Sequence, residues 1–247
     1  MIPHYKGNVP FIDTEQMKQV DHTMINDYGI SLIQMMENAG YNLAILAKSE
    51  FLNNDPAGKN VCVLAGSGGN GGGVLVAARR LKNLGANVHV TLATTSSKLK
   101  KETKQQLSII EKMNIPISDQ IQNCDLIIDG MIGYGVNGNL KGRVSELIEE
   151  VSKKNIPVLS LDTPTGLDLT TGKPGSPTMK ANATMTLALP KVGLFKMSAR
   201  KYIGDLYLAD ISVPPGTYKS LGIETGPLEQ VFKENSVVRI NKVVVFS

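Results

Sequence analysis

Apolar residues recur at helical spacing from Thr14 to Tyr28, where Met17, Val20, Met24 and Ile25 form one stripe and Thr14 is the expected N-cap. A second helix is expected from about Ser31 to Phe51, softened only at Gly40, with Met35 and Met36 as core filler. After Pro56-Ala57-Gly58 the texture changes to short apolar runs alternating with amphipathic segments. Asn60–Ala65, Asn87–Ala93, Asp125–Ile132 and Ile156–Leu161 read as buried strands, with Ala183–Leu189 and Asp205–Val213 as further candidates. Between them Gly66–Gly73 reads as a loop, and Val74–Leu84, Lys98–Met113 and Val144–Lys154 as helices. The first thirteen residues lack a pattern and are expected to form a loose arm. Strand and helix alternating at this spacing predict an α/β chain, a three-layer αβα sandwich around a mostly parallel sheet. The N-terminal helices should pack on it. No repeat or low-complexity linker divides the chain, so residues 1–247 are expected to form a single domain.

Composition narrows the functional classes. Hydrophobic residues make up 42% of the 247, enough for a sizeable core. The formal charge of +4 is mild and spread along the chain, and with no Trp and 5 Phe there are few platforms for stacking bases. Nucleic acid is therefore not the expected partner. Cys62 and Cys124 sit in or beside apolar runs and read as reduced core thiols, which suits a cytoplasmic protein. The start has no apolar signal region, and no stretch is long enough to span a membrane.

In parallel sheets ligands bind beyond the carboxyl ends of the strands, near the point where strand order reverses. The first strand is followed by Gly66-Ser67-Gly68-Gly69-Asn70-Gly71-Gly72-Gly73, in which Gly66, Gly68 and Gly71 match G-x-G-x-x-G between a strand and a helix. Glycines admit close approach of a ligand, and the helix start offers free N–H groups to an anion. The second strand runs into Thr94-Thr95-Ser96-Ser97-Lys98, without the carboxylate that holds ribose hydroxyls in nicotinamide dehydrogenases. An ordinary oxidoreductase is thereby disfavoured. The third strand carries Asp129 into a glycine-rich loop, Gly133 to Asn139. The fourth ends Asp162-Thr163-Pro164-Thr165-Gly166, which places a carboxylate at a strand tip as a candidate general acid or base. Asn70, Asp129 and Thr165 offer hard oxygen ligands from three neighbouring strand ends, a set suited to a weakly held monovalent or hard divalent cation and unlike a zinc site. His4, His22 and His89 read as structural or solvated, Lys191 as a surface lysine, and Lys98, Lys100, Lys101 and Lys104 as one solvated helix face.

From about Thr14 to Pro214 these motifs together resemble the NAD(P)HX epimerase family, the N-terminal type of domain that many bacteria fuse to an NAD(P)HX dehydratase. The resemblance rests on Met36-Glu37-Asn38-Ala39-Gly40, the glycine loop running into Leu75-Val76-Ala77-Ala78-Arg79, Asp129 with Gly133, Asp162 to Gly166, Leu189-Pro190-Lys191, and Gly204-Asp205-Leu206-Tyr207. It implies a Rossmann-like fold, usually a homodimer, and an isomerase of metabolite repair that interconverts the R and S forms of hydrated NADH and NADPH. It also implies one potassium ion per subunit held by Asn70, Asp129 and Thr165, with Asp162 as catalytic residue. Substrate contacts would come from Gly69, Asn70, Gly71, Gly72 and Gly73, from Gly133, Tyr134, Gly135, Val136, Asn137, Gly138 and Asn139, and from Asp162. Any dehydratase partner would be a separate protein. The family's usual loop has Asn, Asp and Gly where this chain has Gly69, Gly73 and Val74, so the helix start lacks a carboxylate. The resemblance extends to enhancer-of-mRNA-decapping proteins, whose related domain serves dimerisation and RNA-associated assembly. The alternative is accordingly an inactive nucleotide-binding or scaffold protein on the same fold.

Overall fold

A computed structural model of the chain describes residues 1–135, 138–226 and 228–241. A two-residue strand β1 (His4–Tyr5) leads to helices α1 (Thr14–Asn26) and α2 (Leu32–Leu46), the latter prolonged by a π-helical turn, Ala47–Phe51. The alternating body follows: β2 (Asn60–Ala65), α3 (Gly69–Asn83), β3 (Asn87–Leu92), α4 (Lys101–Lys112), β4 (Leu126–Gly130), α5 (Arg143–Ser152) and β5 (Val158–Leu161). Then come β6 (Ala183–Leu187), the short α6 (Arg200–Ile203), β7 (Asp205–Ala209), α7 (Pro215–Ser220), α8 (Leu228–Val231) and β8 (Val237–Ile240).

The strands form one sheet in the order β1-β8-β7-β6-β5-β4-β2-β3. All neighbours are parallel except β7 with β8. Chain order reverses at β2, which lies between β3 and β4, so the ends of β2 and β4 border the crevice expected to take a ligand. Alternate residues of the central strands feed different cores. Val61, Val63, Ala65, Leu126 and Ile128 pack with α1, α2 and α3, whereas Cys62, Leu64 and Ile127 pack with Leu147, Ile148 and Val151 of α5. Burial on both faces is why these strands read as unbroken apolar runs. Helices α2 and α3 approach closely at Gly40, where a Cβ would collide with the Val76 side chain and the Gly73 carbonyl.

Several expectations change. The cap of α1 is Asp13, whose side chain accepts from the Gln16 N–H while Gln16 reaches back to the Asp13 N–H; Thr14 is the first helical residue. The segment 1–13 is not a loose arm. His4 and Tyr5 pair with Arg239 and Ile240, and buried Ile12 exchanges hydrogen bonds with Pro190 and Val192. Burying such an isoleucine contributes about 2 kcal/mol. The loop expected over Gly66–Gly73 stops at Gly68, and α3 begins with the glycines themselves.

Candidate functional site

A cavity of about 480 Å³ lies over the tips of β2, β4, β5 and β6. That volume suits a small-molecule ligand. One wall is the start of α3. Gly69 and Asn70 face the cavity, while Gly71, Gly72 and Gly73 turn into packing. A Cβ at Gly71 would strike the Gly66 carbonyl, at Gly72 it would lie 2.5 Å from Met36 Sδ, and at Gly73 2.8 Å from Leu161 Cδ2. Backbone blocks a side chain at Gly71, whereas at Gly72 and Gly73 the Met36 and Leu161 side chains would have to give way. Asn70 Nδ2 donates to the Leu161 carbonyl at 2.8 Å, tying the helix start to the tip of β5. Its Oδ1 lies against Gly133, where a Cβ would come within 2.8 Å.

Beneath this wall Asp129 is fully buried. Its carboxylate accepts from Ser160 Oγ (2.9 Å), Thr165 N (2.9 Å), Thr165 Oγ1 (2.6 Å) and Met131 N (3.3 Å). Burial pushes its carboxyl above the ordinary range, and these hydrogen bonds oppose the shift. Among the described residues it has no basic partner. Thr165 Oγ1 also accepts from Ile132 N at 3.2 Å, so Asp129 and Thr165 together hold the loop after β4.

Asp162, at the tip of β5, adopts φ +64°, a left-handed conformation that costs about 1 kcal/mol but is better tolerated by Asp than by most residues. Its N–H donates to Met185 O at 2.7 Å, and its Oδ1 accepts from Lys191 Nζ at 2.6 Å, Thr186 Oγ1 at 3.2 Å and Leu187 N at 3.4 Å. Lys191 is not a surface lysine. It is 1% exposed, and its ammonium also donates to the Leu187 carbonyl at 3.0 Å. Its position directly after an apolar strand was the available signal, because such strand ends are where ligands bind.

Asp21 of α1 lines the same cavity, and its Oδ2 accepts from Tyr134 Oη at 2.6 Å. Desolvation raises the Asp21 carboxyl above its ordinary value; the Tyr134 hydrogen bond and Lys191 lower it, and Asp162 raises it. Desolvation and Asp21 push the Tyr134 phenol up as well, keeping it a neutral donor. Asp21 was missed by sequence reasoning, although a carboxylate falling on the Met17–Val20–Met24 stripe is a visible anomaly.

The expected contact residues divide accordingly. Gly69, Asn70, Gly133, Tyr134, Gly135 and Asp162 border the cavity. Gly138 and Asn139 engage the segment at 175–176, where Asn139 Oδ1 accepts from Ser176 N at 3.1 Å. Val136 and Asn137 lie outside the described residues. Met35 and Met36, expected as core filler, are buried and also line the cavity, and Lys100 borders it instead of lying only on a solvated face.

Residues 32–193 match the family described as YjeF-related protein N-terminus. The chain belongs to this family. Among relatives of this YjeF-related domain, the NAD(P)H-hydrate epimerase of Dehalogenimonas lykanthroporepellens is 38% identical over 212 residues, covering 84% of each chain. That of Rhodopirellula baltica is 30% identical over 214 residues, covering 83% of this chain and 86% of the relative. The bifunctional NAD(P)H-hydrate repair enzyme Nnr of Moorella thermoacetica is 30% identical over 215 residues, and this domain spans 40% of it. The crystal structure of the yeast protein ynu0 shares the YjeF-related fold, with a TM-score of 0.77 at 24% identity over 93% of this chain and 99% of that one.

Proposed function

We infer that this chain is an NAD(P)H-hydrate epimerase that interconverts the R and S forms of hydrated NADH and NADPH. The observation that carries the reading is a cavity at the sheet's reversal point containing a buried Asp162–Lys191 pair, in a chain 38% identical to a curated epimerase. The scaffold alternative rested on the altered glycine loop, and the packing absorbs that change: Gly73 faces Leu161, and Gly69 opens into the cavity.

The hydrated ring bears a hydroxyl on the carbon beside its nitrogen. The nitrogen lone pair forms a C=N bond as the C–O bond breaks, and the departing oxygen takes a proton and leaves as water. Water then returns to the other face and surrenders a proton. Asp162, ion-paired with Lys191, is suited to receiving that proton, and help of this kind is worth on the order of 10²–10⁴ in rate. The opening N–H groups of α3, with Lys100 beside Ser67, are suited to the pyrophosphate.

A monovalent cation fits the donor set of Asn70, Asp129 and Thr165. All its donors are oxygens, and Asp129 is a fully buried carboxylate lacking a basic partner among the described residues. When bound, potassium would supply charge compensation and hold the loops after β2, β4 and β5 in register. By resemblance the enzyme is a cytoplasmic homodimer that works alongside a dehydratase.

The test is chromatographic R-to-S conversion of NADHX and NADPHX. Conversion by the wild type that collapses in Asp162→Asn supports the reading. No conversion of either hydrate by folded wild type removes it.

A further inference from the structure

We propose that Asp21 is a second catalytic acid–base residue, working in the same cavity as Asp162 from a separate element. The inference rests on the epimerase reading and supplies what that reading lacks, a donor for the departing hydroxyl. Epimerisation demands two proton movements at one carbon, a proton given as the hydroxyl leaves and a proton taken as water returns. Asp162 is poorly suited to the first, because its Oδ1 is already engaged by the Lys191 ammonium, Thr186 and the Leu187 N–H.

Asp21 has the complementary surroundings. It projects from α1, an element separate from the strand tip that carries Asp162, and both side chains line the same cavity. Tyr134 Oη occupies Oδ2 at 2.6 Å, and among the described residues nothing engages Oδ1, which is left to the cavity. Burial partly desolvates the carboxyl, which favours its protonated form. The titratable or charged groups facing it are Tyr134 from the loop after β4, Asp162 from β5, Lys191 from the turn after β6 and Tyr218 from α7. On its own helix Lys18 and His22 point to solvent. The two carboxyls thus differ in their partners, an ammonium for Asp162 and a phenol hydroxyl for Asp21.

The step balances. The Asp21 carboxyl gives its proton to the hydroxyl oxygen as the C–O bond breaks and the ring nitrogen's lone pair forms the C=N bond. Water adds to that carbon, the C=N pair returns to nitrogen, and Asp162 takes the water's proton. The proton has moved from Asp21 to Asp162, leaving the enzyme set for the opposite epimer, and exchange with solvent restores the start. Nothing is oxidised or reduced.

The decisive variant is Asp21→Asn, whose side-chain oxygen can still accept from Tyr134. Conversion of R-NADPHX by the wild type and this variant should be followed across pH, with binding of NADP⁺ measured separately by thermal shift. We expect a loss of about 10²–10⁴-fold in kcat with the NADP⁺ shift retained. The wild type should lose kcat as pH rises through the Asp21 pKa, and the residual activity of the variant should lack that limb. Wild type that converts the hydrate while Asp21→Asn stays within threefold overturns the role of Asp21 and leaves the epimerase reading intact. Wild type that never converts it overturns both. If Asp21→Asn does not fold, Tyr134→Phe decides. It removes a hydrogen bond that lowers the Asp21 pKa, so the alkaline limb should move to higher pH, and an unmoved limb overturns the proposal.

Discussion

Replacing Lys191 with Met removes the ammonium and keeps most of the side chain's volume. The consequence follows from burial: Asp162 is 2% exposed, and the pair is held at 2.6 Å. Removing one partner of such a pair leaves an uncompensated charge and typically costs about 3–5 kcal/mol. Here the lower figure applies, because Asp162 retains Thr186 Oγ1 and the Leu187 N–H. At about 2–4 °C per kcal/mol for a chain of this size, about 3 kcal/mol lowers the melting temperature by about 6–12 °C. The assay is thermal unfolding of the wild type, Lys191→Met, Asp162→Asn and the double variant. Asn accommodates the left-handed backbone at position 162, so Asp162→Asn reports on the charge alone. The double variant leaves neither charge exposed to the other's absence and should be more stable than the sum of the single losses by about 2 kcal/mol. A fall below about 2 °C for Lys191→Met, or strict additivity in the double variant, would refute the buried pair.

Three further outcomes are expected. Gly69→Asn should shift the denaturation midpoint by no more than about 0.5 kcal/mol, since its Cβ meets nothing within 4 Å, while Gly73→Asp should cost about 1–3 kcal/mol or more by pressing on Leu161 Cδ2. Potassium should raise the melting temperature over choline at matched ionic strength, by about 2.7 kcal/mol of stability at a hundred times its dissociation constant, and Asp129→Asn should abolish the difference. Equal melting in the two salts would remove the cation from this site. Because the folded-state pKa of Asp21 is raised, its contribution to stability is present below the ordinary carboxylate value near ~4 and is lost as pH rises through the folded value. Asp21→Asn should therefore melt above the wild type at neutral pH, with an advantage that shrinks on acidification; a constant offset would contradict it.

The alternating body of the fold was legible because its strands are buried on both faces. Val61–Ala65 is an unbroken apolar run that ends at Gly66, and the predicted and observed limits of its strand, Asn60 and Ala65, coincide. The sheet's far edge was not legible. Strand β1 has two residues, and β8 is held by pairing with segments distant in the chain, so neither carries a local pattern. Glycine is the poorest helix former after proline, which is why Gly69–Gly73 read as a loop. Tertiary packing overrides propensity most firmly at Gly71, where only a residue without a side chain fits against the Gly66 backbone. At the site, Asn70, Asp129, Asp162 and Thr165 could be picked out because strand tips are where ligands bind. Their division into a buried hydrogen-bonded hub at Asp129 and an ion pair at Asp162 depends on Lys191, whose burial no local composition reports.

The N-terminal segment shows most plainly what local reading misses. Its residues have no periodicity, yet the hydrogen bonds from Ile12 N to Pro190 O and from Val192 N to Ile12 O, each 2.9 Å, bracket Lys191 on both sides. Ile12 therefore fixes the backbone from which the Lys191 ammonium reaches Asp162. The next residue, Asp13, caps α1, and two turns later that helix delivers Asp21 to the same cavity. One short stretch thus positions the lysine partner of one carboxylate and the helix that bears the other. The charged group over the sheet depends on the seating of residues 12 and 13 as much as on the strand tips beneath it.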